Sequence, residues 1–99
     1  MVLTFALLAF SFRIMQEKIQ ERVSVVAVYD REAGAMPRVI RWNGRLYQVT
    51  KLGYHHKVKQ GQALQHIFSV ATETLAFRLR HDTESLIWWL EEVSDGVTT

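Results

Sequence analysis

The chain contains 99 residues, of which 48% are hydrophobic and 22% are charged, and its formal net charge is +2. A chain of this length fits one domain with one core and excludes a deep enclosed cavity. It contains no cysteine, which excludes a disulfide framework and thiolate chemistry. This composition agrees with a reducing cytoplasm, where we expect the protein to reside.

Positive and negative charges are separated along the chain. Residues 36–81 contain eight Lys or Arg and one acidic residue, whereas residues 82–99 contain five acidic residues and no Lys or Arg. This separation is typical of a solvated surface with two poles. It also fits a basic face that binds a polyanion or the acidic end of another copy.

The N-terminal segment differs from the rest of the chain. Residues 2–12 are nearly all apolar, but a helix that spans a bilayer needs about 20 residues. A secretory signal carries its positive charge before the apolar stretch, whereas Arg13 follows it. We expect translation to begin at Met15; a short helix packed on the domain, or a membrane or export role, are the alternatives. The predicted organisation is an N-terminal extension at 1–20, one β domain at 21–95 and a tail at 96–99.

The first predicted strands are 23–29, which is rich in β-branched residues, and the pair on either side of Asn43-Gly44. Asn-Gly is the strongest short-range signal of a β-hairpin, because a type I′ turn needs positive φ at both central residues. The turn joins strands at 37–42 and 45–51 and places Ile40 opposite Tyr47.

The second strand of this hairpin is expected to continue to Val58. Its apolar residues occupy odd positions as far as Val49 and even positions from Leu52 onward. A phase change of this kind next to Gly53 predicts a β-bulge, which curves a sheet towards closure.

The segment 63–93 predicts a three-strand meander. Two-residue turns at 72–73 and 82–83, or four-residue loops with the same parity, give the sheet one apolar face and one mixed face. With two-residue turns, His66 lies opposite Leu79. The same register places Leu86 in the core. The apolar face contains Phe68, Val70, Leu75, Phe77, Leu79, Leu86, Trp88 and Leu90, and the mixed face contains Gln65, Ile67, Ser69, Ala76, Arg78, Arg80, Ile87, Trp89 and Glu91.

These patterns predict a mainly β fold. We expect a small antiparallel barrel or roll of about six strands, with an N-terminal apolar or helical extension. A helix over residues 82–93 is the alternative for the last strand, because Leu86, Ile87, Leu90 and Val93 also match helical spacing.

Turn and core residues between positions 36 and 95 follow a recognisable pattern. The pattern comprises Pro37-Arg38, Trp42-x-Gly44-Arg45-x-Tyr47-x-Val49, Phe68 with Val70, Trp88, and Glu92-Val93-x-Asp95. It resembles small uncharacterised bacterial β-domains in which a W-x-G-R-x-Y-x-V hairpin is followed by a three-strand meander. The resemblance implies a fold, and it carries over no reaction and no catalytic or binding residue.

The four histidines are the residues that metal or proton-transfer chemistry would use. His55 and His56 are adjacent and point to opposite faces of a strand, and the four spacings match no ligand motif. His66 and His81 share the core face, but the predicted register places them far apart along their strands. We therefore predict no metal site and no cofactor. Since no catalytic motif is present either, we expect no catalytic residue and no enzymatic activity, with His66 the one plausible proton-transfer group.

Basic and aromatic residues give the strongest indication of function. They are predicted to lie on the outer face of the hairpin and meander and along the third strand. The candidate binding residues are Arg41, Lys51, Lys57, Lys59, Arg78, Arg80, Ile87 and Trp89.

Two functions fit this set. The first is a module for protein–protein interaction or self-association through the apolar outer patch around Ile87 and Trp89. The alternative is a small barrel that binds single-stranded nucleic acid through a basic groove, with Trp89 stacked on a base. The expected partner is therefore another protein, a second copy or a nucleic acid, and no membrane.

Overall fold

The computed structural model describes residues 16–32 and 34–95, which form seven antiparallel strands and no helix. The sheet has the order β3-β2-β1-β7-β6-β5-β4 and curls into a half-barrel. The prediction of a mainly β antiparallel fold is confirmed, with seven strands in place of about six. The strands are β1 (Gln16–Asp30), β2 (Gly34–Trp42), β3 (Arg45–Gln48), β4 (Lys51–Gln60), β5 (Ala63–Ala71), β6 (Ala76–Asp82) and β7 (Trp88–Ser94).

Strand β1 is the longest of the described strands and lies next to β7, the central strand of the sheet. It pairs with β2 through its second half and with β7 through its first half, where Gln16 lies opposite Ser94. Ile19, Val23 and Val25 pack against the core. The predicted boundary at residue 21 thus falls within β1. The predicted start at Met15 and the tail at 96–99 lie outside the described residues and stay predictions.

The Asn-Gly hairpin has the predicted register. Ile40 lies opposite Tyr47 and Trp42 lies opposite Arg45. Asn43 has φ of 54° and Gly44 has φ of 74°, as a type I′ turn requires. The local chemistry of two residues therefore sets the pairing of β2 with β3.

The prediction that the second hairpin strand runs unbroken to Val58 is wrong. The chain leaves β2 after Gln48, and the next two residues form a corner. Here the Val49 amide donates to the Arg38 carbonyl at 2.8 Å, and the Thr50 amide donates to the Ala71 carbonyl at 2.8 Å. Backbone pairing thus passes from β2 to β5 within two residues, so β3 and β4 lie at opposite edges of one sheet.

This corner shows that the curled sheet is closed at one end. Trp42 and Tyr47 from the hairpin reach across to Phe77 in β6, with ring centroids 5.9 Å and 5.1 Å from the Phe77 centroid. The register of β4 against β5 shifts between Leu52 and Tyr54, which confirms the bulge predicted next to Gly53.

The meander has the predicted faces, but its loops have four residues. Val70 pairs with Phe77, and the Asp82 amide donates to the Ile87 carbonyl at 3.0 Å, which leaves loops at 72–75 and 83–86. Apart from Val93, which a register shift between β6 and β7 turns inward, the core consists of residues that the alternation predicted to be inward, and no helix forms over 82–93. Buried in it are Ile40, Phe68, Val70, Phe77, Leu79, Trp88, Leu90 and Val93.

Two details that followed from the two-residue alternative are wrong, because the four-residue loops move each partner along its strand. Leu86 does not join the core; it lies in the second loop with φ of 64° and is 68% exposed. His66 lies opposite His81, not Leu79. In the described part of the chain, no helix is long and apolar enough to cross a membrane.

Candidate functional site

The predicted binding residues are distributed over several surfaces of the half-barrel. Arg41 is exposed on β2, between Ser24 of β1 and Leu46 of β3. Lys51, at the start of β4, lies near Arg78 of β6. Lys59, towards the end of β4, lines a shallow pocket together with Arg78 and Arg80. The eight residues therefore do not form one continuous surface.

Glu91 holds the two arginines of the outer face. It is an extra residue in β7, because the register against β6 shifts between Arg78 and Leu79. Its Oε2 accepts a hydrogen bond from Arg80 Nε at 2.8 Å, and its Oε1 lies 3.4 Å from Arg78 Nε. One carboxylate thus neutralises part of the positive charge that the sequence places on this face.

Arg80 also covers the aromatic residue of the predicted outer patch. Its guanidinium carbon lies 5.3 Å from the centroid of the Trp89 ring, and its Nη1 donates to Gln65 Oε1 at 3.4 Å. Ile87 and Trp89 are half-buried. Trp89 is therefore packed beneath a cation, and it is not an open stacking surface.

Strand β4 carries exposed positive charge along a free edge of the sheet. Lys51, Lys57 and Lys59 are all exposed, and β4 contains no acidic residue. β4 pairs with β5 on one side, and no described strand pairs with its other side. Along this free edge of ten residues, Tyr54 and Val58 are also 55% and 38% exposed.

A second feature is the cleft at the open end of the half-barrel, which has a volume of about 630 Å³. We call it the histidine cleft. Strands β4, β5 and β6 form one wall with His55, Lys57, His66, Phe68 and His81, and residues around the β1–β2 connection form the other with Tyr29, Arg31 and Glu32. Three of the four histidines therefore share one concave surface.

The histidine rings are stacked and hydrogen-bonded. His55 Nε2 lies 2.8 Å from His66 Nδ1, and the His55 ring stacks on Phe68 with centroids 4.5 Å apart and planes 8° apart. His81 stacks on Trp88 at 4.2 Å. The wall thus contains two stacked groups, His55 and His66 with Phe68, and His81 with Trp88, and the Phe68 and Trp88 planes are tilted by 36° to each other.

Burial and neighbouring charge oppose protonation of the three histidines in this wall. Burial lowers the pKa of His55, and Lys57 and His56 lower it further. Burial also lowers the pKa of His66, as do His55, Lys57 and His81. Burial lowers the pKa of His81, an effect that Asp82 partly offsets. The three imidazoles consequently favour the neutral form more than a free histidine does, and a neutral ring can both donate and accept a hydrogen bond.

Sequence reasoning missed the histidine cleft because of the loop length. His55, His66 and His81 occupy inward positions on three neighbouring strands, and alternation alone places them on one face. Four-residue loops in the meander would have brought His66 and His81 together. Within the described residues, no group of three or more His, Cys, Asp or Glu side chains is arranged to hold a metal ion.

No protein-family model, curated protein or solved structure gave a significant match to this chain. The resemblance to small bacterial β-domains therefore stays a prediction. The function has to be inferred from the β4 edge and the histidine cleft.

Proposed function

We propose that the protein is a non-enzymatic, cytoplasmic binding module that takes up an extended acidic segment of another protein along the free edge of β4. The observation that carries the proposal is the edge itself. Ten residues present one unpaired side of the backbone, with Lys51, Lys57 and Lys59 exposed and no acidic residue.

An edge strand of this kind supports binding through its backbone. An added strand forms main-chain hydrogen bonds along the edge, and its alternate side chains meet those of β4. Acidic side chains on that strand would lie near the lysines, which increases both the specificity and the rate of association. The exposed Tyr54 and Val58 add apolar contact on the outer face.

Charge also argues for a different protein as the partner, and against a second copy. Lysines on an edge strand disfavour pairing of that edge with itself. Of the five acidic residues in the segment 82–95, four belong to β6, β7 and their loop, and Asp95 directly follows β7. Strand β7 is paired on both sides, by β1 and by β6. A second copy therefore cannot offer β7 as an acidic strand to β4.

The outer patch around Ile87 and Trp89 supports protein interaction less well than the β4 edge. Both side chains are half-buried, and Arg80 lies over the Trp89 ring. A partner at this patch would have to displace Arg80, which is also held by Glu91.

Binding of single-stranded nucleic acid is the second candidate. It is favoured by the exposed lysines of β4 together with the exposed ring of Tyr54, since single-strand sites combine a basic surface with a stacking aromatic residue. It is disfavoured by the ion pairs of Arg78 and Arg80 with Glu91, which reduce the charge available to phosphates.

The test uses a labelled ten-residue peptide with glutamate at alternate positions and threonine or valine between them, followed by fluorescence anisotropy. We expect binding that weakens with added salt and is lost when glutamine replaces glutamate. The double variant Lys51→Glu/Lys59→Glu should weaken binding by roughly tenfold or more. Arg38→Glu/Arg41→Glu, a matched double charge reversal at exposed positions of β2, should change it by less than about twofold.

Two results would contradict the proposal. One is equal binding of the glutamate and glutamine peptides. The other is an equal effect of the β4 and β2 charge reversals. If a single-stranded oligonucleotide binds and the acidic peptide does not, the nucleic-acid function replaces it.

A further inference from the structure

The histidine cleft has the size and shape of a small-molecule site. Its volume of about 630 Å³ lies within the range of roughly 300–1,000 Å³ that is typical of ligand pockets. It lies between two walls of the half-barrel and away from the closed end, where Trp42, Tyr47 and Phe77 fill the interior. A ligand can therefore enter without displacing the core.

The wall formed by β4, β5 and β6 favours a planar ligand. The rings of His55, His66 and Phe68 lie within 17° of a common orientation, with centroids between 4.5 Å and 6.2 Å apart. Phe68 is buried, whereas the two imidazoles are half-buried and face the cleft. Aromatic rings at these separations favour an offset stack, so a flat ring of a ligand can extend the stack of these side chains.

The charges around the cleft favour an anion. Lys57 lies on the histidine wall and Arg31 on the opposite wall, and both are exposed. Glu32 is the one carboxylate that lines the cleft, and Asp82 acts on His81 from the end of β6. Two permanent positive charges therefore face one carboxylate that lines the cleft.

We infer that the histidine cleft binds a planar aromatic anion, with the ring stacked on the His55–Phe68 pair and the negative group beside Lys57. This inference does not require strand capture at the β4 edge, because the ligand occupies the concave side of the sheet, although Lys57 belongs to both surfaces. The aromatic ring supplies apolar contact, and the lysine selects negative charge.

Proton linkage gives the site a pH dependence. A bound anion favours the charged form of a nearby imidazole, so binding raises the histidine pKa values that burial and Lys57 lower in the free protein. Glu32 and Asp82 act in the same direction as the ligand, and Arg31 acts against it. The affinity should consequently increase as the pH falls from about 8 to about 6.

The experiment is an NMR titration of the full chain with 2-naphthoate, with the neutral 2-naphthamide as the matched probe. We expect the imidazole signals of His55, His66 and His81 to shift, while those of His56, on the opposite face of β4, remain unchanged. Naphthoate should bind roughly tenfold more tightly than naphthamide. The affinity should be higher at pH 6 than at pH 8.

Two lysines on one strand provide matched variants. Lys57→Gln should weaken naphthoate binding by roughly tenfold, and Lys59→Gln, which lies outside the cleft, by less than about twofold. Both side chains are exposed, so both variants should melt like the wild type. Equal affinity for naphthoate and naphthamide, shifts centred on His56, or an unchanged affinity in Lys57→Gln would overturn the inference. Loss of peptide binding in Lys51→Glu/Lys59→Glu with naphthoate binding retained would separate the two sites.

Discussion

Glu91 shows how one residue can determine the character of a whole surface. As the extra residue of a bulge in β7, it lies within reach of both Arg78 and Arg80 of β6. The side chains of Arg80 and Glu91 are only 19% and 21% exposed, so their 2.8 Å contact is screened less than a fully exposed ion pair. The arginine held in this way covers Trp89.

Glu91→Gln should lower the free energy of unfolding by about 1–2 kcal/mol. The amide removes the negative charge that balances Arg80, while the shape of the side chain is kept. Urea denaturation measures the effect. Glu73→Gln, at an exposed position of the 72–75 loop, is the control and should change stability by less than about 0.5 kcal/mol. Equal midpoints for the two variants would show that the Glu91 ion pairs contribute nothing.

At the scale of strands, the sequence predicted faces more accurately than partners. Side chains alternate with a period of two, so Phe68, Phe77 and Trp88 were assigned correctly to the core with either loop length. The residues at 72–75, Thr-Glu-Thr-Leu, include no glycine or asparagine that would select a two-residue turn. Loop length was therefore open, and an error of two residues separated His66 from His81 in the prediction.

The corner at 49–50 could not be predicted from the sequence, for a related reason. Val49 and Thr50 favour extended backbone, and neither glycine nor proline marks the point where the chain leaves β2. The change of partner depends on hydrogen bonds to Arg38 and Ala71, which are distant in sequence. By contrast, Asn43-Gly44 and Gly53 signalled their turn and bulge through local backbone chemistry.

The stacked histidines of β4, β5 and β6 should make the stability of the sheet depend on pH. Their pKa values are lowered in the folded protein from the ordinary value of 6.5, so the unfolded chain binds more protons near that pH. The stabilisation is fully present above pH 6.5 and is lost as the pH falls through the lowered values. We expect the urea midpoint to decrease between pH 7.5 and pH 5.5.

The variant His55→Gln/His66→Gln should reduce this decrease, because two of the three responsible groups are absent. Asp82 does not account for the decrease in the urea midpoint. Backbone hydrogen bonds from Glu84 and Ser85 lower the pKa of Asp82 below 3.8, outside the range between pH 7.5 and pH 5.5. A wild-type midpoint that is constant over this range, or a double variant with an unchanged decrease, would contradict the role assigned to the stack.

At the scale of the whole molecule, one curled sheet leaves two features available for binding. The corner at 49–50 closes one end of the half-barrel and leaves β4 as a free edge, while the other end opens into the histidine cleft. Both features use β4, whose outward edge faces solvent and whose inward residues His55 and Lys57 line the cleft. Composition suggested the positive charge of this strand, but its edge position depends on the strand order, which local patterns do not determine.

The most direct measurement of the central claim is backbone amide hydrogen exchange with and without the alternating glutamate peptide. An added strand forms hydrogen bonds with the outward amides of β4, so we predict slower exchange within residues 51–60. Exchange in β3, the strand at the other edge, should stay the same. Slower exchange in β3 or on the outer face of β6 and β7, with β4 unchanged, would contradict the account.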